Sequence, residues 1–190
     1  MLIAVIGGIC SGKSEVMAVL RDLGAHTVKT DDINRQMLAK KDYIAEVGAV
    51  FPSVIVGGAV DKAALRSLIM ADSNAREKLN ELAHPRIFAE VKRISDAQSG
   101  VMFVENPLII STNSADLFDE IWCVLSDKEE RLVRLQKRDN VSQQEAERTM
   151  LAQSAEERAH EIADVIITNR GDKEALAGEV KRLYESRMAR

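Results

Sequence analysis

Short apolar runs recur along the chain, and most are separated by stretches whose apolar residues return every three or four positions. Leu2-Ile3-Ala4-Val5-Ile6 is apolar at every position, the pattern of a strand covered on both faces. His26-Thr27-Val28-Lys29-Thr30, Val101–Val104, Ile121–Leu125 and Val165–Ile167 predict four further strands. Strands alternating with helices imply a parallel sheet of the α/β class. A first helix follows from Val16, Met17, Val19 and Leu20 at helical spacing, with Gly24 as its stop. His26 alternates with apolar residues and reads as structural.

Residues 40–98 have a different texture. They are helical in pattern, broken at Phe51-Pro52 and turned at Gly57-Gly58-Ala59, with one short apolar run at Val54–Val56. Asp61 caps a helix through Leu65 and Leu68, and Asp72 or Ser73 opens another through Leu79 and Leu82. His84-Pro85 either interrupts that helix or starts the next, which runs toward Ala97. Beyond the fourth strand, Lys128–Arg138 places Leu132 and Leu135 on one face and its charges elsewhere. A last helix is predicted from Lys173 to Met188.

Composition narrows the classes of function. A chain of 190 residues, 46% of them hydrophobic, suffices for one domain with both sheet faces covered. A formal net charge of −4 leaves no electrostatic footprint for nucleic acid. The cysteines, Cys10 and Cys123, give neither metal spacing nor a disulfide framework, and Cys123 reads as a small core residue. With no signal-like N-terminus and no apolar run of spanning length, no membrane partner is expected and the cytoplasm is the expected compartment.

Candidate chemistry gathers between the first strand and the first helix, in Gly7-Gly8-Ile9-Cys10-Ser11-Gly12-Lys13-Ser14. This is G-x-x-x-x-G-K-[ST] in its required strand–turn–helix setting, a loop that holds nucleotide phosphates. Gly7 and Gly12 let the backbone turn its N–H groups toward one point, and the helix dipole aims there too. Lys13 supplies a point charge for β- and γ-phosphates, and the Ser14 hydroxyl can ligate Mg²⁺. Asp31-Asp32-Ile33-Asn34-Arg35 follows the second strand, at the end of the sheet where α/β proteins bind ligands. Asp31 as an N-cap and Asp32 as a first-turn charge would also fit, and the two roles can coexist.

The helical insertion after the second strand then reads as a lobe for the phosphate acceptor. Arg131, Arg134, Arg138, Arg148 and Arg158 follow the fourth strand. Either they pair with Glu129, Glu130, Glu145 and Glu157 along their helices, or one of them clamps a transferring phosphoryl group. Arg138 is the leading candidate, because Arg138-Asp139-Asn140 ends a helix where a lid could begin. The expected organisation is a single domain with a core of 1–32, 99–127 and 163–190. Residues 33–98 form the helical lobe and 138–155 the lid.

Taken together, these residues resemble the dephospho-CoA kinases, within the P-loop nucleoside and nucleotide kinases, over nearly the whole chain. The resemblance rests on Gly7–Ser14, on Asp32-Ile33-x-Arg35-Gln36 and on Val60-Asp61-Lys62-x-x-Leu65. It continues through His84-Pro85, Pro107-Leu108, Arg134-x-x-x-Arg138, Gln153 and Ala163-Asp164-x-x-Ile167-x-Asn169-x-Gly171. It implies the three-layer P-loop NTPase fold with a five-stranded parallel sheet, a helical acceptor lobe and a helical lid. The implied reaction moves the γ-phosphate of ATP, with Mg²⁺, to the ribose 3′-hydroxyl of dephospho-CoA, the last step of coenzyme A synthesis. On matched positions, Gly8, Ile9, Cys10, Ser11, Gly12, Lys13, Ser14 and Glu15 hold ATP phosphates and Asn169 lies beside adenine. Asp32 is the acceptor-side carboxylate, Arg138 clamps phosphate, and Arg35, His84, Pro107 and Leu108 belong to the acceptor side.

The chain departs from that family's pattern in four places. Cys10 replaces a glycine, so its side chain must point away from phosphates. Glu15 replaces a threonine and is expected to face solvent. Thr30 replaces the first of two aspartates spaced Asp-x-Asp. Pro107-Leu108-Ile109-Ile110-Ser111 lacks the glutamate that usually follows, which leaves Glu105 or Asp116 as its substitute. The alternatives are another small-molecule P-loop kinase, or a nucleotide-binding regulatory protein without turnover. No [NT]-K-x-D run supports a GTPase-like switch.

Overall fold

The computed structural model describes residues 1–189. The first half of the chain forms β1 (Leu2–Ile6), α1 (Lys13–Asp22), β2 (His26–Lys29), α2 (Thr30–Met37), α3 (Lys41–Val50), β3 (Ile55–Val56), β4 (Ala59–Val60), α4 (Lys62–Ala71) and α5 (Ser73–Asp96). The second half forms β5 (Met102–Glu105), β6 (Glu120–Leu125), α6 (Lys128–Asp139), α7 (Gln143–Ala152), β7 (Val165–Thr168) and α8 (Lys173–Met188). Three-residue-per-turn helical segments lie at Pro52–Val54, Ala115–Leu117 and Ser154–Ile162. The chain divides into two compact units, Met1–Lys29 with the residues from Gln98 onward, and Thr30–Ala97. Residues 30–32, expected in the core, belong to the helical unit because Thr30 already takes helical conformation.

The first unit is built on a parallel sheet ordered β2-β5-β1-β6-β7, as its alternating pattern requires. β1 is central, and Val5 lies opposite Glu105 on one side and Trp122 on the other. Ile3 and Val5 join Phe103, Trp122, Val124 and Ile167 beneath Val16, Met17 and Leu20 of α1 and Leu176 and Val180 of α8. Ala4 and Ile6 point the other way, with Ile121 and Cys123, against Ile109 and Ala159. Successive residues of β1 thus enter opposite cores, which is why the strand shows no polar alternation. His26, read as structural, is instead exposed, because β2 is an edge strand.

The helical unit carries caps at the residues the pattern named. Asp61 accepts from the amides of Ala63 and Ala64, and Asp72 accepts from that of Asn74. Gly57-Gly58 joins a small antiparallel hairpin of β3 and β4, where only one short apolar run was expected. Pro85 neither ends nor begins a helix: it sits inside the continuous α5. The helical bond that a prolyl nitrogen cannot donate is the one to Glu81, an exposed residue whose carbonyl water can serve. Arg86 binds Asp42 and Glu46 and lies 5.4 Å from the centre of the Tyr43 ring.

A buried charge pair fastens the C-terminal helix to the first unit. Arg187 Nε lies 3.1 Å from both carboxylate oxygens of Glu120, whose Oε1 also accepts from Trp122 Nε1 at 2.7 Å. Removing one member of such a pair leaves the other charged and desolvated, at a cost of about 3 kcal/mol. Arg187→Ala should therefore lower the urea-unfolding free energy by about that much without changing the m-value. A loss below about 0.5 kcal/mol would mean that the pair is solvent-screened.

Candidate nucleotide-phosphate site

The loop Gly7–Gly12 leaves the carboxyl end of the central strand, which β5 and β6 flank, at the end of the sheet where α/β proteins place their ligands. Its backbone is pressed against neighbours on the outside. A Cβ on Gly7 would lie 2.3 Å from the Val124 carbonyl oxygen, and one on Gly12 would lie 2.1 Å from Asn169 Nδ2. Both glycines also have φ in the left-handed range, +139° and +108°. The same Asn169 amide donates to the Ser11 carbonyl at 2.9 Å, and its oxygen accepts from the Gly171 amide at 3.0 Å. Asn169, expected beside adenine, thus ties the segment after β7 to the loop.

Lys13 opens α1, and its ammonium donates to the carbonyls of Gly7 at 2.7 Å and Gly8 at 2.9 Å. Burial pulls its pKa below the ordinary lysine value, and the nearby charge of Glu105 opposes that shift. Glu105 ends β5 and meets Lys29 at 2.9 Å. Of the two carboxylates that could stand in for the missing glutamate, Glu105 is partly buried in this cationic setting and Asp116 is exposed. Ser11 Oγ is buried in the loop and has no hydrogen-bond partner. It lies 2.9 Å from where a Gly7 Cβ would be, on the same side as the Val124 carbonyl.

Ser14 and Glu15 lie exposed in the first turn of α1, so the Glu15 carboxylate has access to solvent as expected. No group of three or more His, Cys, Asp or Glu side chains among the described residues could hold a metal. A divalent ion here would depend on the Ser14 hydroxyl, phosphate oxygens and water, the donor set that Mg²⁺ favours. The residues fit that ion.

Cys10 adopts φ +57°, the left-handed conformation that a glycine takes without strain. Its side chain packs with Ile9 against Leu135, Ala146 and Met150 of α6 and α7. That apolar contact gives the thiol a place away from the inside of the loop and offsets the backbone cost of about 1 kcal/mol. Burial raises the Cys10 pKa, and the charge of Arg138 works against the rise.

The arginines of α6 divide their work along one helix face, at i, i+3 and i+7. Arg131 is buried and paired with Glu157 at 2.6 Å. Arg134 reaches the Cys10 carbonyl at 3.3 Å, Ser126 Oγ at 3.0 Å and Glu130 at 2.7 Å. Arg138, the residue read as the clamp, is exposed at the end of α6, where it bonds to Asp139 at 2.7 and 2.9 Å. The loop contacts of Arg131 and Arg134 were not foreseen, although their spacing with Arg138 was there to read.

The remaining candidates are placed as follows. Pro107 and Leu108 are half-buried in the turn after β5, which Asn106 pins by donating to Ser114 Oγ at 3.0 Å. In the helical unit, Asp32 and Arg35 pair at 3.1 Å on α2 with side chains 50% and 69% exposed. His84 is half-buried on α5, its ring centre 6.3 Å from that of Phe88, and burial lowers its pKa. No described helix is long and apolar enough to cross a membrane.

A family model described as dephospho-CoA kinase matches residues 1–174. The dephospho-CoA kinase of Moorella thermoacetica is 35% identical over 192 residues, covering 97% of this chain and 91% of that protein. That of Geobacter sulfurreducens is 33% identical over 195 residues, covering 98% of each. The solved dephospho-CoA kinase structure from Campylobacter jejuni covers 99% of this chain and 97% of its own at a TM-score of 0.74. At 22% identity, that match is one of fold.

The two thiols should behave differently. Cys123 is fully buried between sheet and covering segments, and burial pushes its pKa up to about 11. At pH 8 an aromatic disulfide reagent should modify Cys10 alone in the native protein, and both thiols in guanidinium chloride. Equal labelling of both thiols in the native state would contradict this packing.

Proposed function

The chain belongs to the dephospho-CoA kinase family, and on that premise we propose that it transfers the γ-phosphate of ATP to the ribose 3′-hydroxyl of dephospho-CoA. That is the last step of coenzyme A synthesis. The observation that carries the reading is the loop itself, with the Lys13 ammonium held by the Gly7 and Gly8 carbonyls. A phosphate arriving there gives the ammonium and the loop amides a common anionic partner.

Phosphoryl transfer asks for positioning and charge stabilisation more than for covalent chemistry. Gly8–Glu15 takes the ATP phosphates, and Lys13 moves its charge from the loop carbonyls onto the β- and γ-oxygens. Mg²⁺, held by the Ser14 hydroxyl, would neutralise charge developing on the phosphates. Asn169 keeps the loop closed on the adenine side. Arg138 reaches its partner Asp139 only at the surface, where such pairs contribute less than about 1 kcal/mol, so little opposes its transfer to phosphate. The surrounding 138–155 segment acts as the lid.

On the acceptor side, Asp32 follows β2 in the first turn of α2. A ribose hydroxyl does not ionise near neutral pH, so a carboxylate that aligns it or takes its proton lowers the barrier. The exposed Arg35 partner is easily exchanged for substrate. Arg35 and His84 of the helical unit are assigned to acceptor recognition, as are Pro107 and Leu108 of the first unit, where Glu105 is the carboxylate available in place of Ser111. ATP as co-substrate and two free thiols suit the cytoplasm.

The test is coupled ADP release with ATP and Mg²⁺, comparing dephospho-CoA with shikimate and nucleosides. Release should depend on dephospho-CoA and fall at least about a hundredfold in Asp32→Ala. Folding stability should change little, because Asp32 is half exposed. Lys13→Ala should lose ATP binding. ATP binding without acceptor-dependent release would instead support a regulatory protein.

A further inference from the structure

Arg131 is a buried cation that the reaction scheme above leaves unused. Its side chain is 6% exposed, and its guanidinium meets the Glu157 carboxylate fork to fork, Nη1 to Oε1 at 2.7 Å and Nη2 to Oε2 at 2.6 Å. The third nitrogen, Nε, is buried and makes no hydrogen bond. Desolvating a guanidinium costs several kcal/mol, and replacing such a pair by apolar residues is often neutral or better for stability. Stability alone is a poor reason for the pair.

Its position suggests another. A Cβ on Gly8 would lie 2.1 Å from Arg131 Nη1 and 3.0 Å from Glu157 Oε1. Gly8 is not among the residues with positive φ, so a side chain there would meet the ion pair, which would have to shift, rather than a backbone strain. The Gly8 carbonyl in turn accepts from the Lys13 ammonium at 2.9 Å. The Arg131 charge also adds slightly to the burial that lowers the Lys13 pKa. An unbroken run of contacts therefore leads from Glu157, in the Ser154–Ile162 segment, through Arg131 and Gly8 to Lys13.

We propose that Arg131 and Glu157 are a positioning pair for the nucleotide. They seat the Gly8 peptide, and through it Lys13, in the geometry that receives ATP phosphates. They also tie the segment that follows the lid to the phosphate loop. The pair acts through Gly8 and Lys13 and need not touch substrate. The proposal rests on the kinase reading, but its primary test requires no acceptor.

The affinity of the full chain for the Mg²⁺ complex of a non-hydrolysable ATP analogue, read by calorimetry, is that test. Glu157→Gln, Arg131→Lys and Gly8→Ala should each weaken it about tenfold and raise the KM for ATP similarly. The KM for dephospho-CoA should stay within about twofold. Because the Gly8 methyl collides with the guanidinium, Gly8→Ala should add little to the loss in Arg131→Ala. If the pair only stabilises the fold, the variants will lose kcat with the folded fraction and keep the wild-type KM for ATP and analogue affinity. That result overturns the proposal, as do fully additive losses in the double variant. Glu157→Gln preserves volume and keeps the test open where Arg131→Ala does not fold. Wild-type turnover with dephospho-CoA reports on the kinase reading separately.

Discussion

The phosphate loop has its outer side pressed against other parts of the first unit, and much else follows from that closeness. The Val124 carbonyl, the Asn169 amide and the Arg131 guanidinium each occupy the space a Cβ would need at Gly7, Gly12 and Gly8. On the proposed reading, a loop packed this tightly offers its amides to a phosphate with little backbone reorganisation, while Lys13 exchanges two carbonyl partners for it. The same packing keeps Lys13 buried, with its pKa pulled down and its charge held by two carbonyls until an anion replaces them.

The sheet supplies the rigidity. β1 sends Ile3 and Val5 into one core and Ala4 and Ile6 into the other, all without solvent exposure. A strand anchored on both faces fixes where the loop starts, and α1, anchored by Val16, Met17 and Leu20, fixes where it ends. The helical unit has the opposite character at its candidate site: Asp32 and Arg35 form a solvent-exposed pair of small energy. On the proposed reading, a tightly packed phosphate loop and an exposed Asp32–Arg35 pair suit an enzyme that binds a phosphate donor and aligns a hydroxyl.

Much of this was legible in the sequence because it depends on local pattern. Leu2–Ile6 shows a doubly buried strand, and Asp61 and Asp72 show caps, because neighbouring residues alone decide those features. Pro85 misled because its single missing hydrogen bond falls at an exposed residue, and tertiary packing carries α5 through it. Arg131 and Glu157 went unnoticed as a pair because they are far apart in the chain, and periodicity records nothing across such a gap. Asn169 was noticed, but its bond to the Ser11 carbonyl depends on the register of β6 and β7, which no local pattern contains. The unusual Cys10 makes sense only once α6 and α7 provide the apolar cluster that receives it.

The most direct test of the central claim is the identity of the product. After incubation with ATP, Mg²⁺ and dephospho-CoA, phosphorus and proton NMR of the purified product should show one new phosphomonoester, coupled to the ribose 3′ proton, in equal amount to the ADP formed. A phosphate on any other hydroxyl, or ADP formed without phosphorylated acceptor, would contradict the account.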